Sequence, residues 1–127
     1  MLKIFLAGFG GFLGSILRYL VTTALQDPGR SSRFPYGTFT VNLIGCFAIG
    51  FLSQLAEARG VFSPETRTLL FVGVLGGFTT FSAFGNETVN LYRAGAAGLA
   101  GLNIAAHLVL CLGAVWASRA LAFQIWR

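Results

Sequence analysis

Gly73-Val74-Leu75-Gly76-Gly77-Phe78-Thr79-Thr80-Phe81-Ser82-Ala83-Phe84 is a stretch whose residue types point to ion chemistry. It lies in a segment without charge from Thr68 to Asn86, long enough to cross a bilayer. Two adjacent glycines disfavour helix by about 1 kcal/mol each relative to alanine, and two β-branched threonines follow directly. The helix is therefore expected to break around Gly76-Gly77. Carbonyls and amides freed inside lipid must be satisfied, and are tolerated only where they are buried in protein or line an aqueous path. Such a break points to an ion site. Phe81 and Phe84 share one face if the helix resumes after it. On spacing alone, such a pair is more often core or lipid-facing surface than functional.

Other polar groups stand out against their apolar surroundings. Thr38 and Asn42, four apart, share a helical face, and Asn42 carries two amide donors. An asparagine in such a place joins helices or meets a ligand. Asn103, His107 and Cys111 form a stripe at four-residue spacing, where the histidine serves either as a proton relay or as hydrogen-bonded packing. Arg18 must face protein or water, by snorkelling or by setting the potential of a vestibule. Cys46 and Cys111 lack the spacing of a zinc site and read as packing. No nucleophile with a base, phosphate loop or carboxylate cluster is present, so no enzyme is expected.

The elements that must hold these residues follow from where charge is missing. The chain has 127 residues, 55% of them hydrophobic and 10% charged, with mean hydropathy +0.74. Only Arg18 is charged between Lys3 and Asp27, and nothing is charged between Arg33 and Glu57, Arg67 and Glu87, or Arg93 and Arg119. Each interval holds 19 or more residues, which predicts an all-α membrane protein. It forms one domain, 1–127, with spans at about 2–25, 37–56, 67–92 and 97–123, the third broken at mid-membrane. Lys3 before an apolar run could open a signal peptide, but the run is glycine-rich, contains Arg18 and lacks an Ala-x-Ala site. The net charge of +5 is scattered singly, with no basic run or stripe, so no nucleic-acid partner is expected.

Four spans put both ends on one side, with Lys3, Arg59, Arg67, Arg119 and Arg127. Arg30, Arg33, Arg93 and Arg18 fall toward the other. Orientation normally follows Lys/Arg asymmetry, and here there is almost none. Insertion in both directions, and hence an antiparallel homodimer of dual topology, is expected. One four-helix chain is also too small to enclose a pore comfortably.

Local signals mark the ends and contacts of the spans. Gly10-x-x-x-Gly14, Gly45 and Gly50 allow close helix approach. Asp27-Pro28-Gly29 is turn chemistry, and Arg93-Ala94-Gly95 is a short turn. Ser63 caps a helix with Pro64 at its first position.

Gly10-Gly11-x-x-Gly14-x-x-x-Arg18-Tyr19, Gly37-Thr38-x-x-Val41-Asn42-x-x-Gly45 and Gly76-Gly77-Phe78-Thr79-Thr80-Phe81-Ser82-x-Phe84 together resemble the Fluc (CrcB-like) fluoride channels. The resemblance covers nearly the whole chain. It implies passive fluoride export through two pores in an antiparallel homodimer in the plasma membrane. It also implies a central sodium ion held by the carbonyls of Gly76 and Thr79. Phe81 and Phe84 would then form an aromatic box and Asn42 would donate to fluoride. Thr38 and Glu87 would line a polar track, with Thr80 and Ser82 nearby. A small, strongly hydrated anion needs such donors, and aromatic ring edges carry partial positive charge. The fourth span departs from the pattern, because His107 and Cys111 stand where the family often places small hydroxyl residues. His107 could lend the flux pH sensitivity.

Two rival readings remain. A small proton-coupled multidrug transporter of dual topology needs a carboxylate at mid-membrane, and Glu87 lies near the end of its span. A non-transporting membrane subunit would not need the glycine-threonine break.

Overall fold

The computed structural model describes residues 1–26 and 33–126, so the expected turn at Asp27-Pro28-Gly29, together with Arg30 and Arg127, lies outside the described residues. Four helices are long and apolar enough to cross a membrane: Leu2–Leu25 (α1), Tyr36–Arg59 (α2), Pro64–Arg93 and Ala97–Ile125. The third is interrupted midway, giving α3 (residues 64–78) and α4 (Phe81–Arg93), and the fourth is α5. Each of the last three spans reaches beyond its apolar stretch, because end residues close the helices. Ser63 Oγ accepts from the Thr66 amide at 3.1 Å, and Pro64 occupies the first position, where its missing N–H costs nothing. Gly60 ends α2 at φ 60° and Gly95 turns the chain into α5 at φ 77°, both backbone conformations that side chains oppose.

The break falls two residues later than its glycines imply. Gly76, Gly77 and Phe78 are helical, and Thr79 and Thr80 are extended, with φ/ψ of −82°/156° and −151°/115°. The glycines instead serve packing. A Cβ on Gly77 would sit 2.5 Å from the Gly11 oxygen, and one on Gly73 2.8 Å from the Gly10 Cα. Gly10 and Gly14 face α3 in return, as their spacing predicts. Helix propensity therefore locates the weak region but not the residue that yields: Gly77 lies against Gly11 of α1 within the helix, while Gly76 has no such close contact.

Two stretches are wound as π-helix, Thr68–Leu75 in α3 and His107–Cys111 in α5. Nothing in the sequence marks them. α1 lies along α3, α2 lies along the C-terminal half of α5, and α4 packs on its N-terminal half. At Gly50, α2 approaches Val115 and Ser118 so closely that a Cβ would collide with the Ser118 hydroxyl. An Arg119–Glu57 ion pair ties the same two helices at one end. Large apolar side chains cover the outside, including Phe5, Phe12, Leu17, Leu108 and Leu112, as a lipid-facing surface requires.

Candidate functional site: a helix break between two grooves

Thr79 and Thr80 end one helix and begin another. The Thr79 amide and hydroxyl both donate to the Leu75 carbonyl, at 3.0 and 2.9 Å, which closes α3. In a continuous helix the Thr80 amide would donate to Gly76. Here it donates to Asn42 Oδ1 at 2.8 Å, while Asn42 Nδ2 donates to the Thr80 carbonyl at 3.1 Å. Thr80 Oγ1 then caps α4 by accepting from the Ala83 amide at 3.2 Å.

Asn42 reaches the break because α2 comes close there. Gly45, one turn further along, abuts the Thr79 methyl group so tightly that any Cβ would collide with it. The structure thus gives Asn42 a helix-joining role, with the second Nδ2 hydrogen left over.

The two helix ends carry opposite partial charge. Carbonyls in the last turn of α3 lack helical donors, and amides in the first turn of α4 lack helical acceptors. Gly76, whose carbonyl has lost its helical donor to Asn42, is exposed at the surface. Among the described residues no three His, Cys, Asp or Glu side chains come together to hold a metal. A cation at this break would have to be held by main-chain oxygens. The Gly76 and Thr79 carbonyls suit a hard ion of that kind, since such ions take oxygen ligands.

Two grooves meet at Thr80. The first, about 370 Å³, is walled by Asn42, Thr79, Phe81, Phe84, His107 and Cys111, among others. Phe81 and Phe84 lie with ring centroids 5.3 Å apart, and Phe81 is 82% exposed. The second groove, about 780 Å³, holds Arg18, Thr38, Ser82, Asn86 and Glu87. Thr38 Oγ1 donates to Glu87 Oε1 at 2.7 Å, and the Thr80 and Ser82 hydroxyls lie 3.1 Å apart. Arg18 is half-buried at this groove and forms no ion pair among the described residues. The residues singled out in the sequence therefore fall into one connected region: Thr38, Ser82, Glu87 and Arg18 on one side of Thr80, and Asn42, Phe81 and Phe84 on the other.

Sequence reasoning left the fourth span undecided. His107 packs against Phe84 in a tilted arrangement, ring centroids 4.3 Å apart, and meets Phe39 edge-on at 5.4 Å. Asn103 is fully buried and donates to Thr88 Oγ1 at 2.9 Å, tying α5 to α4. Their four-residue spacing was the available signal. Which helix they would face was not legible.

The family described as CrcB-like protein, Camphor Resistance (CrcB), matches residues 5–119. A protein of Chlorobaculum tepidum is 46% identical over 127 residues, covering all of this chain and 98% of the relative. Proteins of Elusimicrobium minutum (46%, covering 90% of this chain and 88% of the relative) and Agrobacterium fabrum (45%, covering 99% and 100%) are similar too. All three are named fluoride-specific ion channel FluC. With four helices able to span a bilayer and such relatives along its length, this is a multi-pass protein of the plasma membrane. Extended threonines between two helical segments, gripped by an asparagine from a neighbouring span, are thus found in a chain that belongs to the CrcB-like protein family.

Proposed function

We propose that this chain is a fluoride-selective channel that lets F⁻ leave the cell passively. It is a channel, not an enzyme. The observation that carries the reading is the meeting of the two grooves at Thr80. There an anion passing from the Arg18 side would find hydroxyls, then the N-terminal end of α4, the spare Asn42 hydrogen and the edges of Phe81 and Phe84. Replacing the water around a small anion takes such a series of donors, and a narrow passage excludes larger halides.

Both grooves are open along the side of the chain, and Phe81 is largely exposed. A closed path needs a second wall. The functional unit is a homodimer, and the near-equal basic residues on the two sides favour an antiparallel pair inserted in both orientations. Two symmetry-related pores follow from that arrangement. A structural Na⁺ would rest between the two helix breaks on the Gly76 and Thr79 carbonyls, where it would hold the breaks together and add positive potential for an anion.

Reconstituted vesicles loaded with fluoride, read with a fluoride electrode, test the reading. Rapid fluoride release with chloride retained is expected. Retention of fluoride, or equal release of chloride, would sink it.

A further inference from the structure

His107 is the chain's single histidine and is 9% exposed. It sits in the π-helical segment of α5 and walls the same groove as Asn42, Phe81 and Phe84. Its Nδ1 lies 2.9 Å from the Asn103 carbonyl oxygen. A carbonyl only accepts, so Nδ1 carries the hydrogen in that bond. Nε2 of the neutral ring is then a bare acceptor, and it is buried without a hydrogen-bond partner. An orphaned buried acceptor is unfavourable and asks for a donor. Phe84 lies tilted against the ring and Phe39 meets it edge-on, so aromatic rings and no hydrogen-bond donor flank it on these sides.

A lone pair and fluoride repel each other. A proton on Nε2 makes the ring a cation, which attracts an anion in the groove that it walls. We propose that His107 Nε2 takes up one proton when one fluoride ion occupies this groove. The proton comes from hydronium at the groove mouth, whose O–H bond breaks to leave water as the N–H bond forms at Nε2; nothing is oxidised or reduced, and the proton returns to water when the anion leaves. The inference rests on the fluoride reading above and adds a proton-linked step to it.

The titratable groups around the ring are few. Cys46 faces the groove from α2, and Cys111 stands one turn further along α5. On α4, Glu87 lies one turn beyond Phe84, with Oε1 taken by Thr38 and Oε2 without a partner. From α3 come only Phe71, Leu75 and Gly76. Among the residues that wall this groove, His107 is the side chain of the type that ordinarily exchanges protons near neutral pH.

A single histidine makes the test direct. Protein labelled with ¹⁵N-histidine, in lipid nanodiscs, is titrated by NMR in fluoride and in chloride. Fluoride is expected to raise the His107 midpoint by about half a pH unit or more relative to chloride, the mark of a proton and an anion binding together. Equal midpoints in the two salts overturn the proposal. Fluoride efflux is measured in parallel at about pH 5.5 and about pH 7.5, either side of the imidazole range, with protein-free vesicles subtracted. The rate is expected to rise severalfold at the lower pH in the wild type and to stay level in His107→Gln. Steady efflux at both pH values with equal midpoints removes the proton-linked step and leaves the channel. No efflux at either pH removes the channel itself.

Discussion

Asn42 grips Thr80 by both ends of its amide, accepting from the main-chain N–H at 2.8 Å and donating to the carbonyl at 3.1 Å. One side chain thus replaces the helical acceptor that the Thr80 amide gives up and adds a second bond at its carbonyl. It converts a weak point in a helix into a defined interruption, and it ties α2 to the place where α3 ends and α4 begins.

Replacing Asn42 by aspartate keeps the acceptor, loses the donor and puts a negative charge in the groove. Fluoride efflux is expected to fall at least about tenfold. The fold should also lose about 1–3 kcal/mol, because a bond from the amide to the Thr80 carbonyl is replaced by a carboxylate oxygen facing that carbonyl. Electrode efflux together with melting in detergent checks both. Wild-type rates would show that the groove does not carry an anion past Asn42.

Phe81→Ile and Phe84→Ile separate flux from folding. Phe81 is 82% exposed, so its loss should change stability by no more than about 0.5 kcal/mol. Phe84 is half-buried against His107 and should cost somewhat more. Both are expected to abolish or strongly reduce fluoride flux while the size-exclusion profile stays that of the wild type. Undiminished flux in both variants would remove the rings from the path.

Gly77→Ala and Gly8→Ala make a matched pair. The first would place a Cβ 2.5 Å from the Gly11 oxygen, against main chain that cannot step aside, and the second meets nothing within 4 Å. Gly77→Ala should destabilise by about 1–3 kcal/mol through overpacking. Gly8→Ala should be neutral or stabilise by up to about 1 kcal/mol through helix propensity. Equal melting temperatures for the two would contradict the close α1–α3 contact.

Arg18→Gln removes the cation from the groove that holds Thr38 and Glu87. Fluoride efflux is expected to fall severalfold at low ionic strength and less at high salt, since screening weakens the remaining field. Fold and assembly should be unchanged. A salt-independent loss would mean that Arg18 acts through packing.

Much of this architecture was legible in the residues. Charge-free intervals are a one-dimensional record of the bilayer, so the four helices could be counted directly. Ser63-Pro64 and Gly95 mark helix ends through local geometry. Gly10 and Gly14 announce close contact because only glycine lets main chains approach so nearly. The composition around residue 76 also showed that the third helix could not run smoothly.

Folding decided which residues yield and which groups meet. Gly77 lies against Gly11 of α1 and stays helical with Gly76, and the interruption falls at Thr79-Thr80, where Asn42 is present to receive it. That outcome depends on a residue 38 positions away, and no local propensity contains it. The π-helical turns of α3 and α5 carry Phe71 and His107, and both residues wall the same groove. The sequence alone therefore determined the elements and the chemistry they carry, because hydropathy and backbone preference act over a few residues. Only the tertiary structure decided the partners, because hydrogen bonds and close contacts join residues that the chain keeps far apart.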